Sequence, residues 1–569
     1  MEVDIQDDWQ GDFSNTLMKA LGWKRETRSY RSQISVDLSG LDERQITLLF
    51  EELSNIKPSK ESREAIATIK RWREVLSDKN PRASNAKSAT DLIAVYVAKC
   101  CEGFRLWKKV DSQWFGFFVN QVWFEPESQG RGGFLPATAN INLLCNVFGE
   151  TIRENCSWNA SECRGKTAIQ LLAMRGFVAE TPEIMKKYHD SVEQHIYFCD
   201  RIGLQCNTSG VAFLSGNYDS LNAITCDSNR RSCLIAGMPG LVVVDTVDDD
   251  PDDAQKMRLD SQYTYNQSLS LLRANLLGVV AKDEEFIYAD EDIADQEFFI
   301  PIHPLVPVFD LIRHERYAVH SLDMKEYMYD QTMAEKLILP EDQKRLLSLL
   351  VASKGNEFKD IVASKSGGTV VLLAGRPGLG KTLSAEVFSE CSQRPLYRVQ
   401  CSQLGIDSDT IENELKVVFR RARRWNAVIL LDEADLYIGE RGTDITRNAI
   451  VCVFLRVLES SDGVLFLTTN LPETVDDAIA SRCIARIDVK HPDRNALRRI
   501  WDVLLQNAEV AMSLGDVEYF CEKYSTMGGR DVKAAIKLAM VNSTSGKIGR
   551  KDMEFVLGFH PNRGQWSEQ

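Results

Sequence analysis

The chain has too few basic residues for general nucleic-acid binding. Its 68 lysines and arginines stand against 82 aspartates and glutamates, which leaves a formal net charge of -14 over 569 residues. A protein that binds nucleic acid through the phosphate backbone needs a positive face. We therefore expect no general nucleic-acid partner, although a local basic patch is compatible with this total.

Long apolar runs and a basic N-terminus are absent as well. No hydrophobic stretch approaches the roughly 20 residues that a membrane-spanning helix needs. The chain starts with Glu2, Asp4, Asp7 and Asp8, whereas a signal peptide starts with positive charge. We expect a cytoplasmic protein with no membrane partner.

The 14 cysteines include no C-x-x-C pair, so the commonest zinc and redox motifs are missing. One spacing recurs three times, at Cys156/Cys163, Cys199/Cys206 and Cys226/Cys233. His195 could join Cys199 and Cys206 in a zinc site, but these spacings are not those of known zinc motifs. Since free cysteine is often a small buried side chain, we expect that role here.

The first part of the chain has helical periodicity. With 44% hydrophobic residues, a chain of this length can bury more than one core. Ile66, Ile69 and Trp72 recur at helical spacing, so residues 1–95 are predicted to be mostly helical. A polar linker is predicted at 77–88, before a helix over 91–101.

The following region mixes strand and helix signals, which predicts an α+β region up to about residue 340. Thr181 and Pro182 are typical of a helix cap and first helical position, so a helix over 183–199 is expected. The aromatic stretch 114–124 predicts strands in a core, with a base-stacking surface as the weaker alternative. The acidic cluster 248–253 lacks the glycine of a calcium loop and is predicted to be solvated. Further strands are predicted at 241–245, 306–309 and 317–320, the last two as a hairpin.

A phosphate-binding loop organises the rest of the chain. Residues 369–382 read T-V-V-L-L-A-G-R-P-G-L-G-K-T, a buried-type strand that runs into G-x-x-x-x-G-K-[ST] and a helix. Lys381 is predicted to place positive charge at the outer phosphates, and Thr382 to offer its hydroxyl to Mg²⁺. The remaining loop residues predicted to bind nucleotide are Gly375, Pro377, Gly378, Leu379 and Gly380.

Two later strands end in polar residues. The strand predicted at 428–431 is followed by Asp432 and Glu433. In phosphate-loop ATPases such an aspartate holds Mg²⁺ and such a glutamate polarises the attacking water. Asn470 follows the strand predicted at 464–468, where its amide is expected to orient that water or sense the γ-phosphate.

The order of these motifs resembles the AAA family of ring ATPases over about residues 345–560. The matching segments are G-R-P-G-L-G-K-T, I-L-L-L-D-E-A-D, L-T-T-N, A-S-R-C and G-G-R-D-V-K-A-A-I. R-P-L-Y, F-L-R-V-L-E and F-L-T-T-N resemble more closely a branch known from large fungal AAA proteins. The resemblance implies an α/β fold with an open parallel sheet and flanking helices, a C-terminal helical lid and a preceding α+β region.

The resemblance also implies roles for single residues. Asp432 and Glu433 match the Walker B motif, Asn470 matches sensor 1, and Arg530 matches sensor 2. Arg482, which has no obvious partner in its own chain, matches the arginine finger that a neighbouring subunit supplies. ATP and Mg²⁺ are the implied cofactors, and a homo-oligomeric ring, expected to be a hexamer, is the implied assembly. The implied domains are a helical module 1–95, an α+β region 96–340, an ATPase subdomain 341–490 and a lid 491–569.

Two departures from the family pattern affect function. Mainstream members carry a second finger arginine where this chain has Ala485, with Arg486 one step later. They also thread peptides with an aromatic pore residue, whereas residues 401–408 contain no aromatic and Leu404 is their first sizeable apolar residue.

Three functions remain open at this point. The first is an ATP-hydrolysing ring that remodels an unidentified protein partner. The second is a nucleotide-dependent assembly switch that does not thread its substrate. The third, a nucleic-acid-directed machine, is disfavoured by the acidic composition.

Overall fold

The computed structural model describes the chain in separate stretches. They are residues 2–6, 33–37, 43–54, 66, 69–70, 73, 81–130, 133–148, 150–214, 234–236, 240–246, 300–352, 368–400, 404–405, 408–459, 463–542 and 548–560. Within these stretches, no helix is long and apolar enough to cross a membrane. The acidic cluster 248–253 lies outside them, so its predicted loop stays a prediction.

Strands occur near the N-terminus, where the sequence predicted mainly helix. Strand β1 (Glu2–Gln6) pairs antiparallel with β2 (Gln33–Asp37), and helix α1 follows over Glu43–Ser54. Each strand alternates apolar and polar residues, as in V-D-I and I-S-V, which is a strand period rather than a helical one. Ile69 is buried as its periodicity implied.

Helix α2 (Ala86–Cys100) starts inside the predicted linker 77–88 and crosses the domain boundary expected at residue 95. Asn85 caps it: the Ser88 N–H donates to Asn85 Oδ1 over 2.8 Å, and the Asn85 N–H donates to Ser88 Oγ over 3.0 Å. The helix start predicted at 91 was therefore wrong. The polar residues that suggested a linker are the capping residues of the helix.

The first large sheet has five antiparallel strands in the order β8-β7-β4-β3-β9. Helix α2 packs on it, and Phe115, Phe117 and Phe118 of the aromatic stretch are buried, as the core interpretation predicted. The elements are β3 (Arg105–Val110), β4 (Gln113–Glu125), the small hairpin β5 (Ser128–Gly130) and β6 (Gly133–Leu135), β7 (Thr138–Val147), β8 (Glu150–Asn159), α3 (Ala160–Cys163), α4 (Ala168–Met174), β9 (Phe177–Ala179) and α5 (Pro182–Cys199).

A second antiparallel sheet of seven strands follows, in the order β12-β11-β15-β14-β13-β10-β16. Its strands are β10 (Gln205–Thr208), β11 (Val211–Leu214), β12 (Leu234–Ala236), β13 (Gly240–Val244), β14 (Leu305–Asp310), β15 (Arg316–His320) and β16 (Met324–Glu326). The predicted hairpin is confirmed, since β14 pairs antiparallel with β15. The predicted cap of α5 is confirmed too, because Thr181 Oγ1 accepts from the Ile184 N–H over 3.3 Å.

The region predicted to be an ATPase, called the ATPase part below, is an α/β fold around a parallel sheet of five strands, in the order β18-β19-β20-β17-β21. Helices on its two faces bury separate apolar layers. Its elements are α6 (Met333–Lys336), α7 (Glu341–Ala352), β17 (Thr369–Ala374), α8 (Lys381–Ser392), β18 (Leu396–Gln400), α9 (Ser408–Trp425), β19 (Val428–Asp432), α10 (Asp435–Ile438), α11 (Ile445–Glu459), β20 (Val464–Thr469), α12 (Asp477–Ala480) and β21 (Ala485–Asp488).

A helical lid with its own core ends the described chain. Its helices are α13 (Arg494–Asn507), α14 (Leu514–Lys523), α15 (Gly529–Asn542) and α16 (Arg550–Gly558). Trp501, Phe520 and Met553 meet at its centre and are fully buried. The expected architecture of open parallel sheet plus helical lid is therefore present.

The seven-stranded sheet packs directly against the ATPase sheet. The ring centroid of Phe309, on β14, lies 5.0 Å from that of Trp425 and 5.8 Å from that of Tyr397. Asp245 joins the two parts electrostatically, since its Oδ2 accepts from Arg424 of α9 over 2.6 Å and from Arg316 over 3.0 Å. These contacts make the two sheets neighbours in one apolar core.

Candidate functional site

The phosphate loop connects β17 to α8 at the carboxyl edge of the parallel sheet. Gly375 has a φ of 151°, and a Cβ at this position would lie 2.3 Å from the carbonyl oxygen of Val489. Only glycine fits so close to a neighbouring backbone. Gly380 immediately precedes α8, so the loop leads into a helix N-terminus that favours anions. Pro377 is exposed and Leu379 partly buried within the same loop.

The Lys381 side chain folds back onto this loop. Its Nζ donates to Gly375 O over 2.7 Å, to Arg376 O over 2.8 Å and to Asn470 Oδ1 over 2.9 Å. Burial lowers the pKa of Lys381, and the nearby Asp432 carboxylate acts in the opposite direction. All three ammonium protons are engaged by oxygen atoms, which is the kind of partner that a phosphate would offer.

Asp432 ends β19 beside the first residues of α8. Its Oδ1 accepts from Thr468 Oγ1 over 2.7 Å and from Thr382 Oγ1 over 3.2 Å. A hydroxyl and a carboxylate are hard oxygen ligands, and Mg²⁺ typically binds through one or two carboxylates together with waters and phosphates. The predicted pair Thr382 and Asp432 therefore fits Mg²⁺ by its donor chemistry.

Glu433 and Asn470 lie next to this pair. Glu433 has a φ of 56°, a left-handed backbone that is uncommon for glutamate. Its N–H donates to Thr468 Oγ1 over 2.8 Å, which helps hold that turn, and its side chain is exposed. The Asn470 N–H donates to Asp435 Oδ1 over 3.1 Å, which fixes the loop after β20.

The lid places Arg530 against the phosphate loop. The Arg530 N–H points at Gly378 O at 3.4 Å, and a Cβ on Gly378 would come within 3.1 Å of Arg530 Cβ. Gly378 also has a φ of 81°, so a side chain there would be both strained and crowded. The predicted sensor 2 residue is thus a direct neighbour of the predicted nucleotide-binding loop.

Arg482 lies apart from the loop, after α12. Its guanidinium pairs with Glu459 at the end of α11 and donates to Ala478 O over 2.8 Å. The expectation that Arg482 has no partner in its own chain was wrong. Arg486 is also tied to its own subunit, through Asp488 at 3.0 Å and Pro472 O at 3.2 Å.

Leu404 is not a surface residue. It is 1% exposed and packs in the same core as Tyr437 and Ile411. A buried side chain cannot contact a threaded peptide, so Leu404 does not replace the aromatic that the pore segment lacks. A leucine between polar residues is equally typical of a core anchor, which sequence spacing does not distinguish.

Three contributors to the site were missed by sequence reasoning. Arg398, on β18, donates to Asp432 Oδ2 over 2.5 Å. Thr468 and Asp435 anchor the Walker B carboxylate and the Asn470 loop, respectively. Thr468 and Asp435 stand next to recognised motifs and could have been found there. Arg398 lies on β18, and two strands separate β18 from the strand that leads into the phosphate loop.

No cluster of three or more metal-ligating side chains exists among the residues that the structure describes. The alternative zinc site at His195, Cys199 and Cys206 is therefore wrong, although Cys199 Sγ lies 3.7 Å from His195 Nδ1. Cys206 is buried as expected, whereas Cys156 is disulfide-bonded rather than a free thiol.

The comparisons with known proteins match the ATPase part. The family described as "ATPase family associated with various cellular activities (AAA)" matches residues 371–491. A "Mitochondrial sorting homolog" of Caenorhabditis elegans is 28% identical over 182 residues, 30% of this chain and 52% of that protein. "Protein SUPPRESSOR OF K(+) TRANSPORT GROWTH DEFECT 1" of Arabidopsis thaliana is 26% identical, over 34% of this chain and 46% of that protein.

The human "Fidgetin-like protein 1" is 27% identical over 28% of this chain and 26% of its own length. The chain thus spans at most about half of each of these three curated relatives. None of the three is a fungal protein, so the closer resemblance to a fungal branch stays a prediction.

Proposed function

Residues 371–491 are an AAA domain of the α/β class, and we propose that the chain uses it to hydrolyse ATP with Mg²⁺. One observation carries the proposal: Lys381 Nζ and Asn470 Oδ1 meet at 2.9 Å, and Thr382 Oγ1 meets Asp432 Oδ1 at 3.2 Å. The start of α8, the end of β19 and the residue after β20 thus converge beside a loop shaped for phosphate. The same polar contacts without an adjacent phosphate loop would not indicate nucleotide chemistry.

Each side chain then has a part in phosphoryl transfer. The Gly375 to Lys381 loop binds the phosphates, after Lys381 exchanges its loop carbonyls for phosphate oxygens. Thr382 and Asp432 would hold Mg²⁺, which would neutralise charge on the phosphates. Glu433 accepts a proton from the attacking water.

Asn470 orients that water, because the Asp435 contact keeps its loop in place. Arg530 approaches the phosphates from the lid. Lid movement would therefore change how Arg530 meets the loop, which links nucleotide state to lid position.

We further propose a homo-oligomeric ring, expected to be a hexamer, in which Arg482 completes a neighbour's site. Arg482 would first have to leave Glu459, whose side chain is 59% exposed, so the pair is easily broken by a competing anion. This proposal also includes an unidentified protein partner, a cytoplasmic location and domain boundaries at 340 and 490. The boundary expected at 95 is not proposed again, because α2 runs through it. The acidic composition keeps nucleic acid the least favoured partner.

A second candidate function is an assembly switch that does not thread its substrate. It is favoured by the burial of Leu404 and by the absence of an aromatic residue anywhere in 401–408. In that case ATP sets the geometry of the ring, and hydrolysis limits how long this geometry lasts.

The test of ATP hydrolysis separates binding from turnover. Lys381→Ala should abolish binding of a fluorescent ATP analogue. Glu433→Gln should bind it normally but release phosphate about 100-fold more slowly or worse, since a general base contributes that much. Glu414→Gln, an exposed glutamate on α9, is the matched control and should behave like wild type. Wild-type turnover by Glu433→Gln would contradict the assignment.

A further inference from the structure

Arg398 binds Asp432 through Oδ2, the oxygen that also lies 3.4 Å from the Thr382 hydroxyl. Its guanidinium donates to Asp432 Oδ2 over 2.5 Å, while Oδ1 accepts from Thr468 over 2.7 Å and from Thr382 over 3.2 Å. Both oxygens of the carboxylate are therefore engaged by this chain. The Asp432 side chain is 13% exposed, so a charged partner matters there more than at an open surface.

A guanidinium and a divalent cation cannot both sit close to one carboxylate without repelling each other. Arg398 supplies the positive charge that Asp432 otherwise lacks in the absence of a metal. We infer that Arg398 is a positioning residue that pairs with Asp432 in place of Mg²⁺ and must let go when Mg²⁺ binds with nucleotide. This inference rests on the proposed function.

The backbone of Arg398 is held by packed neighbours, whereas its side chain extends to the partly exposed surface. Tyr397 beside it is buried, with its ring centroid 5.2 Å from that of Trp425 and 5.5 Å from that of His314. The His314 side chain also hydrogen-bonds the Arg398 backbone. The Arg398 side chain itself is 45% exposed, so water can hydrate its guanidinium when it leaves Asp432.

A second carboxylate is available to the released guanidinium. Glu386, on α8, is partly buried and interacts electrostatically with both Arg398 and Asp432. Moving from Asp432 to Glu386 would let Arg398 keep an anionic partner. The exchange involves the side chain, and β18 keeps its place at the edge of the parallel sheet.

The experiment measures how much free Mg²⁺ is needed for ATP binding. In a Glu433→Gln background, which prevents turnover, a fluorescent ATP analogue is titrated at a series of free Mg²⁺ concentrations. Arg398→Gln should lower the Mg²⁺ concentration for half-maximal binding about threefold, the size expected for losing a half-exposed competing charge. Arg398→Lys should stay near the parent protein, because it keeps the charge.

Arg494→Gln is the control, since it breaks an exposed ion pair within the lid and should not change the Mg²⁺ requirement. Arg398→Met serves as a second neutral variant if Arg398→Gln unfolds, which a thermal melt reports. An unchanged or increased Mg²⁺ requirement in the folded neutral variant would overturn the inference. Failure of the parent protein to bind ATP at any Mg²⁺ concentration would instead overturn the proposed function.

Discussion

Asp245 is the residue whose replacement should most weaken the contact between the seven-stranded sheet and the ATPase sheet. Its side chain is 0% exposed, and its Oδ2 accepts from Arg316 over 3.0 Å and from Arg424 over 2.6 Å. Arg316 belongs to the same sheet, whereas Arg424 lies on α9 of the ATPase part. The perturbation is Asp245→Ala, which removes the shared anion and leaves both arginines without it.

The expected loss follows from the burial of these three groups. Removing one member of a buried ion pair costs about 3–5 kcal/mol, because the remaining charge is not solvated. The arginines are 18% and 19% exposed and can hydrate in part, so we expect about 3 kcal/mol, the lower end of that range. Arg424→Ala leaves Asp245 with Arg316 and should cost about 2 kcal/mol, the value of one hydrogen bond to a charged group.

Native-state hydrogen exchange is the suitable assay, since a chain with several cores does not unfold in one step. Amides of β13 and α9 should exchange about 100-fold faster in Asp245→Ala, which corresponds to roughly 3 kcal/mol. Amides of α15 in the lid serve as the internal control and should not change.

The double variant decides whether the two residues act together. If Asp245 and Arg424 form one unit, Asp245→Ala with Arg424→Ala should cost at least about 1 kcal/mol less than the sum of the single variants. Additive losses, or unchanged protection of α9 in Asp245→Ala, would refute the reasoning that this pair joins the two parts.

Three further predictions concern the ring, pH and threading. Arg482→Ala should bind ATP yet hydrolyse it roughly 10³-fold more slowly, which is the usual contribution of an arginine finger. Mixing Arg482→Ala with Lys381→Ala should restore part of the activity, because one variant keeps the pocket and the other keeps the finger. No recovery in proven mixed oligomers would count against a finger in trans. Burial lowers the pKa of His195 and His303 to about 4 and that of His320 to about 3. Below about pH 6.5 the unfolded chain therefore binds more protons than the folded chain. The free energy of unfolding should fall by roughly 2 kcal/mol per histidine between pH 7 and 5. Equal denaturation midpoints at the two pH values would contradict this. Finally, ATP and the assembled protein should not unfold a tagged, stable fluorescent protein, and sustained ATP-dependent loss of its fluorescence would show threading.

Helix ends and hairpins show how far local sequence reasoning reaches. The cap at Thr181 and the pairing of β14 with β15 were predicted because the residues involved are close in the chain. The start of α2 was missed for a related reason. Asn85 and Ser88 are polar whether they lie in a linker or in a capping box, and only the hydrogen bonds between them tell the two apart.

The same distinction between local and long-range contacts applies to the site. The phosphate loop was predictable because seven consecutive positions from Gly375 to Lys381 carry its geometry. The Arg398 contact was not, because Arg398 and Asp432 are 34 positions apart and meet only when β18 and β19 pair in parallel. The burial of Leu404 was not predictable either, since it depends on helices that pack over it and not on its neighbours in the chain.

The amino-acid sequence by itself determined the class of the ATPase part and the identity of the phosphate-binding residues, because short motifs encode local backbone geometry and donor chemistry. Only the tertiary structure decided that the seven-stranded sheet joins this core. Asp245 and Arg424 are 179 positions apart, and a carboxylate finds such a partner through the packing of whole sheets. Contacts of that kind have no signature in nearby residues, since the energy that selects them comes from burying both surfaces together.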